Sequence, residues 1–330
     1  MLPPVLFVII NIIMSVSSLQ GKACFEAIYG PPPGKFIETT HGTTHYLLEG
    51  PTSGKLVVLQ HGVSSNLMVF DRIARDLVAQ GNRVLRYDFY DRGYSETCPK
   101  KYPIQGVGLH PLDFTLDVYV EQFRDVLTNL GLENTDMIHC GHSNGGVLGI
   151  GYTAKYPDLV KGLVLMDAVC LPASKPIAAK IAELPFVGPI VVSLFGTNTL
   201  LNFARASVSD PALLEDYFTK LERNANENAR FFASIRSTNS YCKGFVGSAE
   251  QEFRKCCQAK IPIHGIWGEA DESVPYTQWL RLQEIAQEEG LDAISEISFE
   301  GMPHNVFFDD SKPQECSQSI CGFVSKIYDL

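Results

Sequence analysis

The stretch "IHCGHSNGGVLGIGY", residues 138–152, constrains the fold more than any other, because two hydrophobic periods meet inside it. "DMIHCGH" is a short apolar run with Ile138 and Cys140 at alternate positions, as in a buried strand. "NGGVLGIGYTAKYP" then carries Val147, Ile150 and Ala154 at helical spacing and ends before Pro157. Strand, abrupt turn and helix therefore join at Ser143. A serine there needs an unusual backbone conformation, and Gly141 and Gly145 remove the Cβ atoms that would collide in so tight a bend. Gly141-His142-Ser143-Asn144-Gly145 thus matches G-x-S-x-G, the strand-to-helix turn that presents a serine hydroxyl at the end of a sheet. Read alone, the pentapeptide is also compatible with a glycine-rich loop holding an incidental serine.

The surrounding order of elements decides between these. "KFIETTHGTTHYLLEG" reads as two extended segments around a turn at Gly42, and "GKLVVLQHG" as a continuous apolar strand. A helical stripe of Phe70, Ile73, Leu77 and Val78 follows and stops at Gly81. "RVLRYDFY" is another strand, and Leu116, Val120, Phe123, Val126 and Leu127 lie on one face of the next helix. After the elbow comes the buried strand "VKGLVLMDAV". Such alternation implies right-handed crossovers and a mostly parallel sheet with helices on both faces, an α/β fold. From about Cys170 to Lys260 the alternation breaks into short helices separated by Pro and Gly. Sheet grammar resumes with "IPIHGIWGEAD", the helix "YTQWLRLQEIAQEEG", the strand "AISEISFEG" and a last helix carrying Ile320, Phe323, Val324 and Ile327. The expected organisation is a core of residues 35–169 and 261–330, with a helical cap of residues 170–260 inserted over the carboxyl ends of the strands, where open α/β sheets bind ligands.

The first 22 residues are read apart from this core. An apolar run from Val5 to Met14, interrupted only by Asn11 and followed by small residues, is too short to span a bilayer comfortably. It matches a secretory signal cleaved within Ser17 to Ala23, although no Lys or Arg precedes it, and a retained N-terminal membrane anchor is the rival. Nine cysteines agree with an oxidising compartment, and their odd number leaves one unpaired. Cys140 is expected as a buried thiol, and bridges are sought among Cys24, Cys98, Cys242, Cys256, Cys257, Cys316 and Cys321. Cys316 and Cys321 cannot bridge if both sit in one regular helix. A net charge of -10 with scattered charges excludes a nucleic-acid-binding face. Metal-ligand spacing, G-x-x-x-x-G-K-[ST] and G-x-G-x-x-G are all missing, so no metal and no cofactor is implied.

Four motifs in one order, "HGVSSN", "YDFYDRGYSE", "GHSNGG" and "GEADESVP" followed by "GMPHNVF", resemble the α/β-hydrolase superfamily across roughly residues 35–330. The flavour is that of its lipase, esterase and peptidase branch with a helical cap. "DRGYSE" departs from many relatives by carrying Tyr94 where they have glycine.

A serine hydroxyl is a poor nucleophile at neutral pH and requires a base within hydrogen-bond reach, itself held by a third group. The resemblance implies the chain order serine, acid, histidine. His304 lies downstream of the last strand and suits the base. His41, His45 and His110 precede the elbow, His139 and His264 fall in strands, and His142 is expected to turn away from Ser143. The acid expected is Asp271, in the Gly-x-x-Asp pattern of this branch, with Asp167 at the end of the preceding strand as its rival. Asp309 and Asp310 follow His304 and break the order. An oxyanion hole is expected from the Asn144 N–H at the start of the elbow helix and, by resemblance, from Val63 after His61-Gly62. His61, Asp88, Asp91 and Arg92 are read as structural.

The expected activity is that of a secreted serine hydrolase cleaving carboxylic esters through an acyl-enzyme on Ser143, with a small-molecule ester or lipid substrate and a transient membrane or lipid-surface contact left open. The alternatives are an aminopeptidase of the same fold and a non-catalytic binding protein on the same scaffold. The apolar stretch "PIAAKIAELPFVGPIVVSLF" either lines the pocket or fills the core of the cap.

Overall fold

The computed structural model describes residues 21–104, 110–171, 180–181, 184, 187–241, 245–308 and 312–329. A first helix, α1 (Gly21–Tyr29), precedes the hairpin of β1 (Lys35–Thr39) and β2 (Gly42–Glu49). Then follow β3 (Leu56–Gln60), α2 (Asp71–Ala79), β4 (Arg83–Tyr87), the short β5 (Glu96–Thr97), α3 (Leu116–Asn129), β6 (Met137–His142), α4 (Asn144–Lys155) and β7 (Val160–Met166). Helices alone follow among the described residues: α5 (Val187–Val191), a π-helical turn at Val192–Gly196, α6 (Thr197–Ala206), α7 (Glu215–Glu227), α8 (Ala229–Tyr241) and α9 (Phe245–Gln258). The chain closes with β8 (Ile263–Gly268), α10 (Tyr276–Glu288), β9 (Ile294–Phe299) and α11 (Pro313–Tyr328).

The strands lie in the order β1-β2-β4-β3-β6-β7-β8-β9, with β5 beside β2. The pairs from β4-β3 through β8-β9 are all parallel, and only the pairs made by β2 are antiparallel. Because helices cover both faces, the central strands β3 and β7 read as nearly continuous apolar runs rather than as alternating ones. The period of two reappears in space. Leu56, Val58, Leu163 and Leu165 face a core that includes residues of α3, α4, α9 and α10. Val57, Leu59, Val164 and Met166 face the opposite core, with residues of α2 and α11. Each fully buried aliphatic side chain contributes about 1.5–3 kcal/mol, so the pattern fixes the strand register firmly.

The helices after β7 divide in two. Val192, Leu221, Ala225, Phe231 and Phe232 form a small core of their own. The last helix, α9, lies inside the span expected for the cap but buries Ala249, Phe253, Cys256 and Cys257 in the core of the sheet domain. No described residue of the apolar stretch near the start of this region lines the cavity beside Ser143. Leu184, Val187, Ile190, Leu194 and Phe195 are exposed, and Val192 packs in the core of the cap. Among the described residues no helix is long and apolar enough to cross a membrane.

The expected bridges are not found. None of the eight cysteines among the described residues forms a disulfide, and Cys242 lies outside them. Cys316 and Cys321 sit together on α11, where one helix holds their side chains apart. Cys140, Cys170 and Cys256 serve as small apolar fillers, and burial raises their thiols far above the ordinary range. The segment 1–20, which holds the apolar run of the expected leader, is likewise outside the described residues. Helix α1 is inside them and packs against the helices α7 and α8, with Cys24, Phe25 and Ile28 buried.

Candidate active site

Ser143 stands between β6 and α4 with φ 52° and ψ −118°, a region that non-glycine residues seldom enter and that costs about 1–3 kcal/mol. The surroundings hold it there. Its N–H donates to Met166 O at 3.0 Å, and its carbonyl accepts from Gly146 N at 3.0 Å and Val169 N at 3.2 Å. The flanking glycines are required by contact. A Cβ on Gly141 would stand 2.2 Å from Gly145 O, and one on Gly145 would stand 2.2 Å from Gln60 O.

His304 lies in the loop after β9, and Asp271 in the loop after β8. Asp271 Oδ2 accepts from His304 Nδ1 at 2.7 Å, while its Oδ1 accepts from Ser273 N at 2.7 Å and Val274 N at 2.9 Å. Since a carboxylate only accepts, Nδ1 carries the proton and Nε2 of the neutral ring is left with its lone pair. Ser143 and His304 line one cavity of about 60 Å³. The Ser143 hydroxyl makes no hydrogen bond among the described residues in this closed arrangement. Catalytic contacts are often loose before substrate binds.

Val63 is in the wall of the same cavity. Asn144 is the first residue of α4, where its N–H is unclaimed by the helix and the helix dipole favours negative charge. His61 explains how the Val63 peptide is oriented. Phe89 N–H donates to His61 Nε2 at 3.0 Å, so Nδ1 holds the proton and donates to Gly62 O at 2.7 Å. Gly62 O and the Val63 N–H belong to one peptide plane, so this bond aims the N–H from behind. Burial lowers the His61 pKa to about 4, which keeps the ring neutral.

Asp167, the rival acid, occupies the end of β7 with φ 42° and takes Gly268 N–H on Oδ1 at 2.8 Å. It does not hold His304. Burial first, and the neighbouring Asp271 charge second, push its carboxyl well above the usual range. His142, expected to turn away from Ser143, is in the wall of the same cavity. Its ring lies 4.9 Å from that of His304, and its Nε2 donates to His304 O at 3.2 Å. Burial and the nearby His304 hold it neutral. Asp309 and Asp310 fall outside the described residues.

No motif marks the cap side of the cavity, where Phe203, Ala204, Val208 and Tyr217 meet Phe307 and Phe308 of the loop after His304. Only the "NVFF" run beside His304 could have pointed to part of this wall. No Asp or Glu lines the cavity among the described residues. The cap acids Glu215 and Asp216 face outward and pair with Arg205 at 3.0 Å and Lys220 at 2.7 Å, and Glu222 is exposed. No cluster of His, Cys, Asp and Glu among the described residues could hold a metal ion.

A serine in a strained turn and an imidazole fixed by a carboxylate at one cavity are the parts needed to attack a carbonyl, with Val63 in the wall of that cavity and Asn144 next to Ser143 in the chain. The family model described as serine aminopeptidase, S33, matches residues 51–311. A membrane phospholipase A, described as a bacterial virulence factor, is similar in structure, with TM-score 0.69 and 19% identity over 99% of this chain and 94% of its own. A meta-cleavage product hydrolase from Pseudomonas fluorescens IP01 has TM-score 0.68 and 19% identity over 89% and 98% of the two chains. An enol-lactonase from Burkholderia xenovorans LB400 has TM-score 0.65 and 16% identity over 88% and 100%. No curated protein sequence matches the chain.

Proposed function

Because the chain belongs to the serine aminopeptidase S33 family of α/β hydrolases, it is a hydrolase, and we propose that it cleaves carboxylic esters through an acyl-enzyme on Ser143. In this reading His304 Nε2 takes the hydroxyl proton as Ser143 Oγ attacks the ester carbonyl, and Asp271 steadies the imidazolium that forms. The tetrahedral oxyanion is met by the N–H groups of Val63 and Asn144, each lowering the barrier by about 3 kcal/mol. His304 then returns the proton to the departing alcohol, and water repeats the sequence to release the acid.

The observation that carries the ester reading is the lining of the cavity: apolar side chains from Val69, Phe203, Val208, Phe307 and Phe308, and no carboxylate among the described residues. An aminopeptidase must hold a free ammonium, and an apolar wall leaves that charge unpaired at a large cost. An acyl chain suits the wall, with each buried CH₂ contributing about 0.8 kcal/mol. The exposed Ile190, Leu194, Phe195 and Phe203 of the cap would meet the lipid surface from which such a substrate comes. Export would follow if the apolar run at the amino terminus acts as a signal.

The test is a substrate panel on wild type and Ser143→Ala. Specificity constants on p-nitrophenyl esters should rise with acyl length over the first several carbons, exceed those on aminoacyl-arylamides and vanish in the variant. Faster cleavage of aminoacyl-arylamides would replace this reading with an aminopeptidase.

A further inference from the structure

We propose that Arg92 is a positioning residue, which orients the Val63 N–H and couples it to the seating of helix α8 of the cap. The proposal rests on the reading of Val63 as an oxyanion donor. Val63 sits between two peptide planes. His61 fixes the one that carries its N–H, through Gly62 O. Arg92 fixes the other, because its Nε donates to Val63 O. With both planes pinned, the N–H has no free rotation about Val63.

The second arm of Arg92 reaches the cap. Its Nη1 donates to Ser234 Oγ on α8. Ser234 belongs to a polar stripe at helical spacing that docks on the sheet domain. Arg230 pairs with Asp91 at 3.2 Å, Ser237 Oγ accepts from His110 N at 2.5 Å, and Thr238 Oγ1 meets Tyr119 Oη at 2.9 Å. A guanidinium is a rigid fork that can bridge acceptors on opposite sides, which a lysine ammonium cannot do. Arg92 is 1% exposed, and its Nη2 finds no hydrogen-bond partner among the described residues. Filler alone would be better served by an apolar side chain than by a buried, partly unpaired cation. The arrangement therefore makes sense as a strut between α8 and the oxyanion loop. The cap also reaches the other half of the site, where Asn305 N–H, next to His304, donates to Ser207 O at 2.9 Å.

The test uses the full chain with Arg92→Lys, Arg92→Ala and Ser234→Ala. Measured are kcat and KM on p-nitrophenyl butyrate, affinity for a trifluoromethyl ketone whose hemiketal oxyanion occupies the hole, the melting temperature, and rescue of Arg92→Ala by guanidinium. Misaiming one donor should lower kcat about 10- to 100-fold in both Arg92 variants, with KM within threefold. Ketone affinity should fall in parallel, and millimolar guanidinium should restore part of the rate in Arg92→Ala alone. Ser234→Ala should lose kcat severalfold at an unchanged melting temperature, and it carries the test if the Arg92 variants do not fold. An unchanged kcat in Ser234→Ala, or a lost kcat with ketone affinity intact, overturns the proposal. Fluorophosphonate labelling of wild type, absent in Ser143→Ala, separates the two failures. If wild type is not labelled, the serine-hydrolase reading falls and this proposal falls with it; if labelling is intact, only the role of Arg92 is refuted.

Discussion

Replacing Gly145 with Ala tests the elbow through a single methyl group. The new Cβ would stand 2.2 Å from Gln60 O, 2.7 Å from Gln60 C and 2.9 Å from His61 O, all backbone atoms. Relief requires the elbow and the end of β3 to part by about 0.8 Å, because contacts under 3.0 Å are not tolerated. The segment pushed away leads directly to Gly62 and Val63, so the displacement opens the gap between Ser143 and its proposed oxyanion donor. A 1 Å misplacement costs roughly 100-fold in rate, and overpacking costs about 1–3 kcal/mol of stability. The variant should therefore fold, melt several degrees lower and lose about 10- to 100-fold in kcat with Ser143, His304 and Asp271 all in place. Gly322→Ala is the control. A Cβ at that exposed helical position meets nothing within 4 Å, so activity should be unchanged and stability higher by about 0.5–1 kcal/mol. The assay is esterase kinetics beside thermal melts followed by circular dichroism. Gly145→Ala with wild-type kcat in a fully folded sample would refute the reasoning.

Four further outcomes are expected. Asp271→Asn should lower kcat by several orders of magnitude, whereas Asp167→Asn, which removes a carboxylate that makes no bond to His304, should stay active; the reverse pattern would make Asp167 the orienting acid. Asp167 binds its proton more tightly folded than unfolded, so it costs stability as pH rises above about 3.9, and melting curves of Asp167→Asn should lose less between pH 5 and 8 than those of wild type. Burial lowers His264 to about 4, so its neutral form contributes stability that is lost as pH falls from about 6.5 towards 4, at about 1.4 kcal/mol per pH unit; His264→Gln should flatten that acid limb, and an unaltered limb would exclude it. Gly21 N–H donates to Asn228 Oδ1 at 2.9 Å and α1 buries Phe25, so a processed amino terminus should begin at or before Gly21, which sequencing of secreted material would show.

The parallel sheet was legible because residues that face two cores leave unbroken apolar runs, as in "LVVLQ" and "VKGLVLM". Ser143 was legible for a related reason, since the glycines that its backbone demands are themselves written in the chain. Long-range chemistry was not. Nothing near Asp167 in sequence says that its carboxyl is pushed above the usual range, because the cause is burial beside Asp271, 104 positions further on. Arg92 looked like a loop residue because its acceptors, Val63 O and Ser234 Oγ, lie far from it along the chain. The cavity wall at Phe203 and Val208 escaped notice because an irregular set of short helices has no period from which a facing direction can be read. The cysteines misled through their number, whereas their burial as thiols depends on packing.

The sheet order has a consequence for the life of the chain before it is a protein. Val63 belongs to its first fifth, Ser143 to its middle and His304 to its last tenth, and Leu163 of β7 pairs with Ile263 of β8 across a hundred residues. Such non-local pairing defers its reward until long loops have closed, so the site forms late in folding. During synthesis the elbow can assemble on β3, β6 and β7 while β8, Asp271 and His304 are still inside the ribosome. The nascent chain would thus carry an exposed serine without its base, and hydrolytic power would switch on only when the last strands dock.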